Sequence, residues 1–239
     1  MLKRWIAAWL VCMGVAAAHG QPLQPPEVAA RNYLLIDLNT DQVLAERESD
    51  KQIDPASLTK LMTAYLVFNA LKDKKITLEQ TLPVSLRAWS ERKGGGSLMF
   101  IDPRMTPKFE ELLRGMIVVS GNDAAVALAE GVGGDLGTFV AMMNRQAQAW
   151  GLKNTQFKNV TGLNEAGHYS SARDIATIAA HVIREHPDFY AYYSIRQYTH
   201  LHDADQRGRR VLRKLHTKYH ASLDRTEDGH LGHEDACCG

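Results

Sequence analysis

The hydroxyl of Ser57 and the amine of Lys60 lie three positions apart in the segment Pro55-Ala56-Ser57-Leu58-Thr59-Lys60. If the segment opens a helix, one turn separates the two side chains and they share a face. A serine hydroxyl is a poor nucleophile until a base takes its proton. A lysine, with a reference pKa of about 10.4, is such a base only where burial or a positive neighbour lowers that value. The pair therefore predicts an enclosed cleft, with Ser57 as nucleophile for an acyl group and Lys60 as its general base. A helix N-terminus at this point would add backbone N–H groups and positive potential beside a developing oxyanion. Ser-x-x-Lys alone is a weak signal, since serine commonly starts helices and lysine is commonly a solvated surface residue. Ser120-Gly121-Asn122 is a second constellation, a hydroxyl and an amide at a polar break in a helical pattern, where both can face a cleft. Alone it also reads as a cap and turn.

These groups need rigid elements to hold them. From Leu58 the apolar residues Leu58, Leu61, Met62, Tyr65, Leu66 and Phe68 recur at helical spacing, with Pro55 suited to the helix entry, so a buried helix is predicted here. Helices are also predicted over Phe109 to Val119 and Asp123 to Gly131, on either side of the Ser-Gly-Asn break. Two more are expected over Leu136 to Gly151 and over Ser171 to Glu185, the latter ending before Pro187. Upstream, the β-rich run Asn32 to Leu38, the turn residues Asn39 to Gln42 and the run Val43 to Glu46 predict a hairpin. Residues 74 to 108, with Pro83, Gly94-Gly95-Gly96 and Pro103, predict loops and at most one short strand.

A chain of 239 residues can bury one substantial core. Its 28 Lys and Arg against 27 Asp and Glu give no global field to gather nucleic acid, which is not expected as a partner. Lys3 and Arg4 precede the apolar run Trp5 to Ala18, and small residues follow, so residues 1–20 read as a secretory signal peptide cut after Gly20, or at a rival site after Ala18. The apolar run is short for a membrane span, and membrane attachment is not evident in the rest of the chain. Gln21 to Pro26 reads as a linker. Of the three cysteines, Cys12 lies in the leader and only the adjacent Cys237 and Cys238 remain, so no disulfide framework is expected.

Taken with Ser57-x-x-Lys60 and Ser120-Gly121-Asn122, the segments Tyr33 to Asp37, Gly96 to Phe100, Val119 to Ala124 and Ser171 to Ala176 are similar to those of the serine-type D-alanyl-D-alanine carboxypeptidases, the low-molecular-mass penicillin-binding proteins. The resemblance implies an α+β fold of the β-lactamase and transpeptidase type, a helical cluster packed on an antiparallel sheet, over residues 21–199. It also implies that Ser57 attacks the peptide bond between two terminal D-alanines of a peptidoglycan stem peptide, that Lys60 takes the serine proton, that Ser120 relays a proton to the leaving amine and that Asn122 holds the substrate amide and steadies Lys60. β-Lactams are implied as covalent inhibitors, the periplasm as the location, and no metal or cofactor. The Gly94 to Ser97 stretch is implied as a loop bordering the cleft.

The family's third motif, Lys-Thr-Gly on a cleft-wall strand, is absent. After Thr199 the texture changes to His, Arg and acidic residues, with only Val211, Leu212 and Leu215 hinting at a helix. Residues 200–239 are expected to be divergent and disordered, a stretch translated out of frame, with the sheet truncated as a result. A metal site built from His200, His202, His216, His220, Cys237 and Cys238 is the competing reading. Two further functional readings stand beside the carboxypeptidase. One is a catalytically dead penicillin-binding fragment. The other is a class A β-lactamase, for which Glu165 would have to activate the deacylating water.

Overall fold

The structure, a computed structural model, describes residues 28–201 and 209–213. The leader, the linker and, of the tail, His202, His216, His220, Cys237 and Cys238 lie outside the described residues.

The expected hairpin forms from β1 (Tyr33–Ile36) and β2 (Val43–Arg47), antiparallel, with Tyr33 opposite Arg47 and an irregularity between Leu35 and Ile36. The turn is closed by Asp37 N donating to Gln42 O at 2.9 Å and held by the Asp37 carboxylate accepting from Asn39 N at 2.8 Å, the local bonding for which Asp and Asn are selected in turns. A two-stranded sheet is marginal alone in water. Arg173 anchors this one, bonding Asp50 at 2.9 Å, Ser49 Oγ at 2.8 Å and Glu46.

A 3-10 turn over Ala56–Thr59 leads into helix α1 (Lys60–Lys72). Leu61, Met62, Ala64, Tyr65, Leu66, Val67, Phe68 and Ala70 are all buried, so α1 is enclosed on nearly every side rather than on one stripe, as a central core helix must be. Around it pack α3 (Phe109–Val119), α4 (Asn122–Gly133), α5 (Leu136–Ala149) and α6 (Ala172–Glu185). Side chains of Asp135 and Ser171 cap α5 and α6 by accepting from Thr138 N and Asp174 N. No single helix among the described residues is long and apolar enough to cross a membrane.

Two expectations are corrected. Residues 74 to 108 hold a short helix, α2 (Leu86–Ser90), and a 3-10 turn over Glu91–Lys93, where loops and a strand were predicted. Ser85 Oγ starts α2 by accepting from Ala88 N at 2.9 Å, and five residues are too few to display a helical period. Past α6, the short α7 (Pro187–Tyr190) leads to β3 (Gln197–Leu201), which pairs antiparallel with β4 (Arg209–Arg213), Tyr198 opposite Leu212. Strand pairing thus includes residues 200–201 and 209–213, while the rest of the expected tail lies outside the described residues, and the hint of a helix around Val211 is a strand instead. Arginine-rich composition hides it, because ladder pairing uses the backbone of any residue. The fold is α+β, a helical cluster carrying two separate two-stranded sheets, β1–β2 and β3–β4, among the described residues.

Candidate active site

Lys60 opens α1 with its side chain turned into the protein, 6% exposed. Its Nζ donates to Asn122 Oδ1 at 2.7 Å and to the carbonyl of Thr161 at 2.7 Å, and lies 3.4 Å from Ser57 Oγ. Burial pulls this ammonium from an ordinary 10.5 down to about 7, against the carboxylates of Glu91 and Asp123, which pull it upward. Near neutral pH, then, a large share of Lys60 is the free amine. A neutral amine has two hydrogens and one lone pair. Asn122 Oδ1 and Thr161 O can only accept, so they take both hydrogens and the lone pair is left directed at Ser57.

Ser57 is half-buried in the 3-10 turn, and the expected α-helical N-terminus begins only at Lys60. Ala56, just before it, sits at φ 46, in the left-handed region that costs a non-glycine residue about 1–2 kcal/mol. Gly162, at φ 85, backs onto the same point: a Cβ there would fall 1.8 Å from the Ala56 carbonyl oxygen, so only glycine allows this close backbone approach.

Between α3 and α4, Ser120 adopts φ 59 and ψ 34 and breaks the helical path as predicted. The break aims Asn122 at Lys60. Ser120 Oγ is buried with no hydrogen-bond partner among the described residues, and no hydrogen bond joins it to Ser57 or Lys60. A buried hydroxyl without a partner is costly, and this one lies two residues from the amide that holds the amine. The Gly94 to Ser97 stretch borders the same place: Asn122 N donates to Ser97 O at 2.8 Å and Asn122 Nδ2 to Gly95 O at 3.4 Å. The buried Asp123 carboxylate ties down the next residues, accepting from Met99 N at 2.8 Å, Phe100 N at 2.7 Å and Ile101 N at 3.0 Å.

Sequence reasoning missed the loop that closes the site from the far side. Asn159 shapes it: Oδ1 accepts from Gly162 N at 2.8 Å, and Nδ2 donates to Leu163 O at 2.9 Å and Glu165 Oε2 at 3.0 Å. Thr161 contributes a backbone carbonyl, which no residue type announces. The signal available was the fragment Asn159-x-Thr161-Gly162, turn chemistry with a glycine in a stretch left unassigned. Glu165 is exposed on this loop and makes no hydrogen bond to Ser57 or Lys60, a position that lends nothing to the β-lactamase reading. Among the described residues no group of His, Cys, Asp or Glu is arranged to hold a metal ion.

The sequence profile of the D-alanyl-D-alanine carboxypeptidase family matches residues 19–231. The chain belongs to this family. The family match runs well beyond Thr199, where the resemblance was expected to stop. Relatives include D-alanyl-D-alanine carboxypeptidase DacA of Haemophilus influenzae, 44% identical over 175 residues, which are 73% of this chain and 44% of that protein. DacA of Escherichia coli is 39% identical over 210 residues, 83% of this chain and 52% of the relative. Penicillin-binding protein 5 from Haemophilus influenzae superposes with a TM-score of 0.72 at 43% identity, over 74% of this chain and 52% of that one. A Streptomyces K15 DD-transpeptidase variant superposes at 0.69 with 25% identity, over 74% and 69% of the two chains. The chain spans about half the length of the curated carboxypeptidases it matches.

Proposed function

We propose that this member of the carboxypeptidase family is an exported serine acyl-transferase acting in the periplasm on peptidoglycan stem peptides ending in D-Ala-D-Ala. The observation that carries the reading is Lys60: a buried amine with a pKa of about 7, its two hydrogens engaged by Asn122 and Thr161 and its free direction facing Ser57. Ser57 Oγ adds to the carbonyl between the two D-alanines while Lys60 accepts its proton. Collapse of the tetrahedral adduct breaks the peptide bond, and the proton held by Lys60 passes through Ser120 to the amine of the released D-alanine, which leaves Lys60 neutral again. Water, deprotonated by Lys60, then cleaves the Ser57 ester and restores the hydroxyl. Asn122 orients both Lys60 and the substrate amide. β-Lactams, which present a strained amide in place of the D-alanyl bond, acylate Ser57 by the same first step.

The test has two arms. Fluorescent penicillin should label the purified protein covalently, with no band for Ser57→Ala, and a diacetylated tripeptide ending in D-Ala-D-Ala should lose one D-alanine. Absence of label from soluble, folded protein overturns the acyl-transferase reading. Label without D-alanine release favours the penicillin-binding fragment instead. Rapid turnover of a chromogenic cephalosporin would favour a β-lactamase.

A further inference from the structure

His168 is buried, 3% exposed, and belongs to no step of the acyl transfer. Its ring stands between the loop and the nucleophile turn: Nδ1 lies 3.0 Å from Lys158 N and Nε2 lies 2.8 Å from Thr59 Oγ1. A backbone N–H can only donate, so Nδ1 must carry a lone pair. The ring proton is therefore on Nε2 and is donated to the hydroxyl of Thr59, between Ser57 and Lys60. Neutral Nε2–H imidazole is the one state that satisfies both contacts. An added proton at Nδ1 would set two N–H groups against each other.

This ring completes a row of grips. Thr59 takes the His168 ring, Lys60 takes the Thr161 carbonyl, and Thr63 Oγ1 donates to the Val160 carbonyl at 3.0 Å. The base of the loop is closed by Gln156 and Tyr169, paired through backbone bonds of 2.9 and 3.0 Å, and Ser170 pairs with Ile53 just upstream of the nucleophile. Of the three grips only that of His168 depends on a side chain of the loop itself, and only that one can be broken by a proton in the loop.

We infer that His168 is a positioning residue: as neutral imidazole it clamps the loop so that the Thr161 carbonyl stays on the Lys60 amine, and its protonation releases the clamp and lowers acylation of Ser57. The charged groups that act on the ring are Glu165 on the loop and Asp54 before the 3-10 turn. Burial holds the ring below its usual 6.5, outweighing the upward pull of Glu165 and Asp54. The clamp is therefore closed at neutral pH and opens in acid.

The inference rests on the acyl-transfer reading for its kinetic effect, and two of its measurements need no reaction. In the purified protein, histidine nitrogen NMR at pH 7.5 should show the proton of His168 on Nε2. A proton on Nδ1 at that pH overturns the clamp. The Lys60 titration, followed by NMR of its ε-methylene and assigned with Lys60→Arg, should shift its midpoint in His168→Ala, and an unchanged midpoint overturns it as well. The penicillin-labelling rate, followed from pH 5 to 8.5, should fall below neutrality with a one-proton slope that steepens to two protons as His168 charges. In His168→Gln the slope should stay at one, and in folded His168→Ala the rate at pH 8 should drop about 10- to 100-fold. A two-proton limb retained in His168→Gln, or labelling of His168→Ala within twofold of the parent, refutes the inference. Should His168→Ala fail to fold, the slope of His168→Gln and the ring tautomer decide. If the parent is never labelled, the acyl-transfer reading has failed and the two NMR results still judge the clamp.

Discussion

A base must be free of its proton and aimed, and Lys60 meets both needs through its surroundings. Burial frees the amine near pH 7, and two obligate acceptors aim it at Ser57. An arginine here keeps the charge and cannot give up its proton at any working pH. Lys60→Arg should therefore lower penicillin labelling about 100- to 10,000-fold, the range of a lost general base, when initial rates are compared at pH 8. The meeting of Ser57, Lys60 and Asn122 was legible in sequence because their side chains carry the motif. Thr161 was not, since its carbonyl would be the same atom on any residue. His168 was illegible for another reason: its partners, Thr59 and Lys158, are brought to it only by the loop's path.

Elements hold these groups in place by a few side chain to backbone bonds. Asp123, at the start of α4, receives three successive N–H groups from Met99, Phe100 and Ile101, fixing the segment after the Gly94 to Ser97 stretch against Asn122. Replacing it leaves those donors without a partner in the interior. Asp123→Ala should lose at least about 3 kcal/mol of unfolding free energy in urea titration. The β1–β2 hairpin is tied to α6 by Arg173 at Glu46 and by Arg184 at Leu38 and Asp41, so Arg173→Ala should speed hydrogen exchange at the Val43–Arg47 amides while leaving those of α1 protected. The hairpin, the break at Ser120 and the helices from Phe109 to Glu185 were readable because each has a period or cap long enough to see. Helix α2 and strand β4 were missed, one too short and the other too charged to show a pattern.

At the scale of the molecule, family membership was written in ordered motifs, and the described residues form a helical cluster with two small antiparallel sheets, the first of them the β1–β2 hairpin. That hairpin carries apolar side chains in water: Leu35 is 50% exposed and Leu44 53%. Among the described residues no third strand pairs with this sheet, and exposed apolar edges invite self-association. A Leu35→Thr, Leu44→Thr double variant should stay monodisperse in light scattering at concentrations where the parent associates. If the parent is already monodisperse, that surface is tolerated as it stands.

The burial of Lys60 also governs reagents the protein never meets in its work. An amine with a pKa of about 7 would ordinarily be the first to couple with an active ester, yet here it is buried, its hydrogens held by Asn122 and Thr161. A bulky succinimidyl ester should modify surface amines such as Lys51 and Lys75, which are 62% and 72% exposed, and spare Lys60 until denaturant is added. Peptide mapping by mass spectrometry would thus read the closure of the crevice as an inverted order of labelling, the most nucleophilic lysine reacting last.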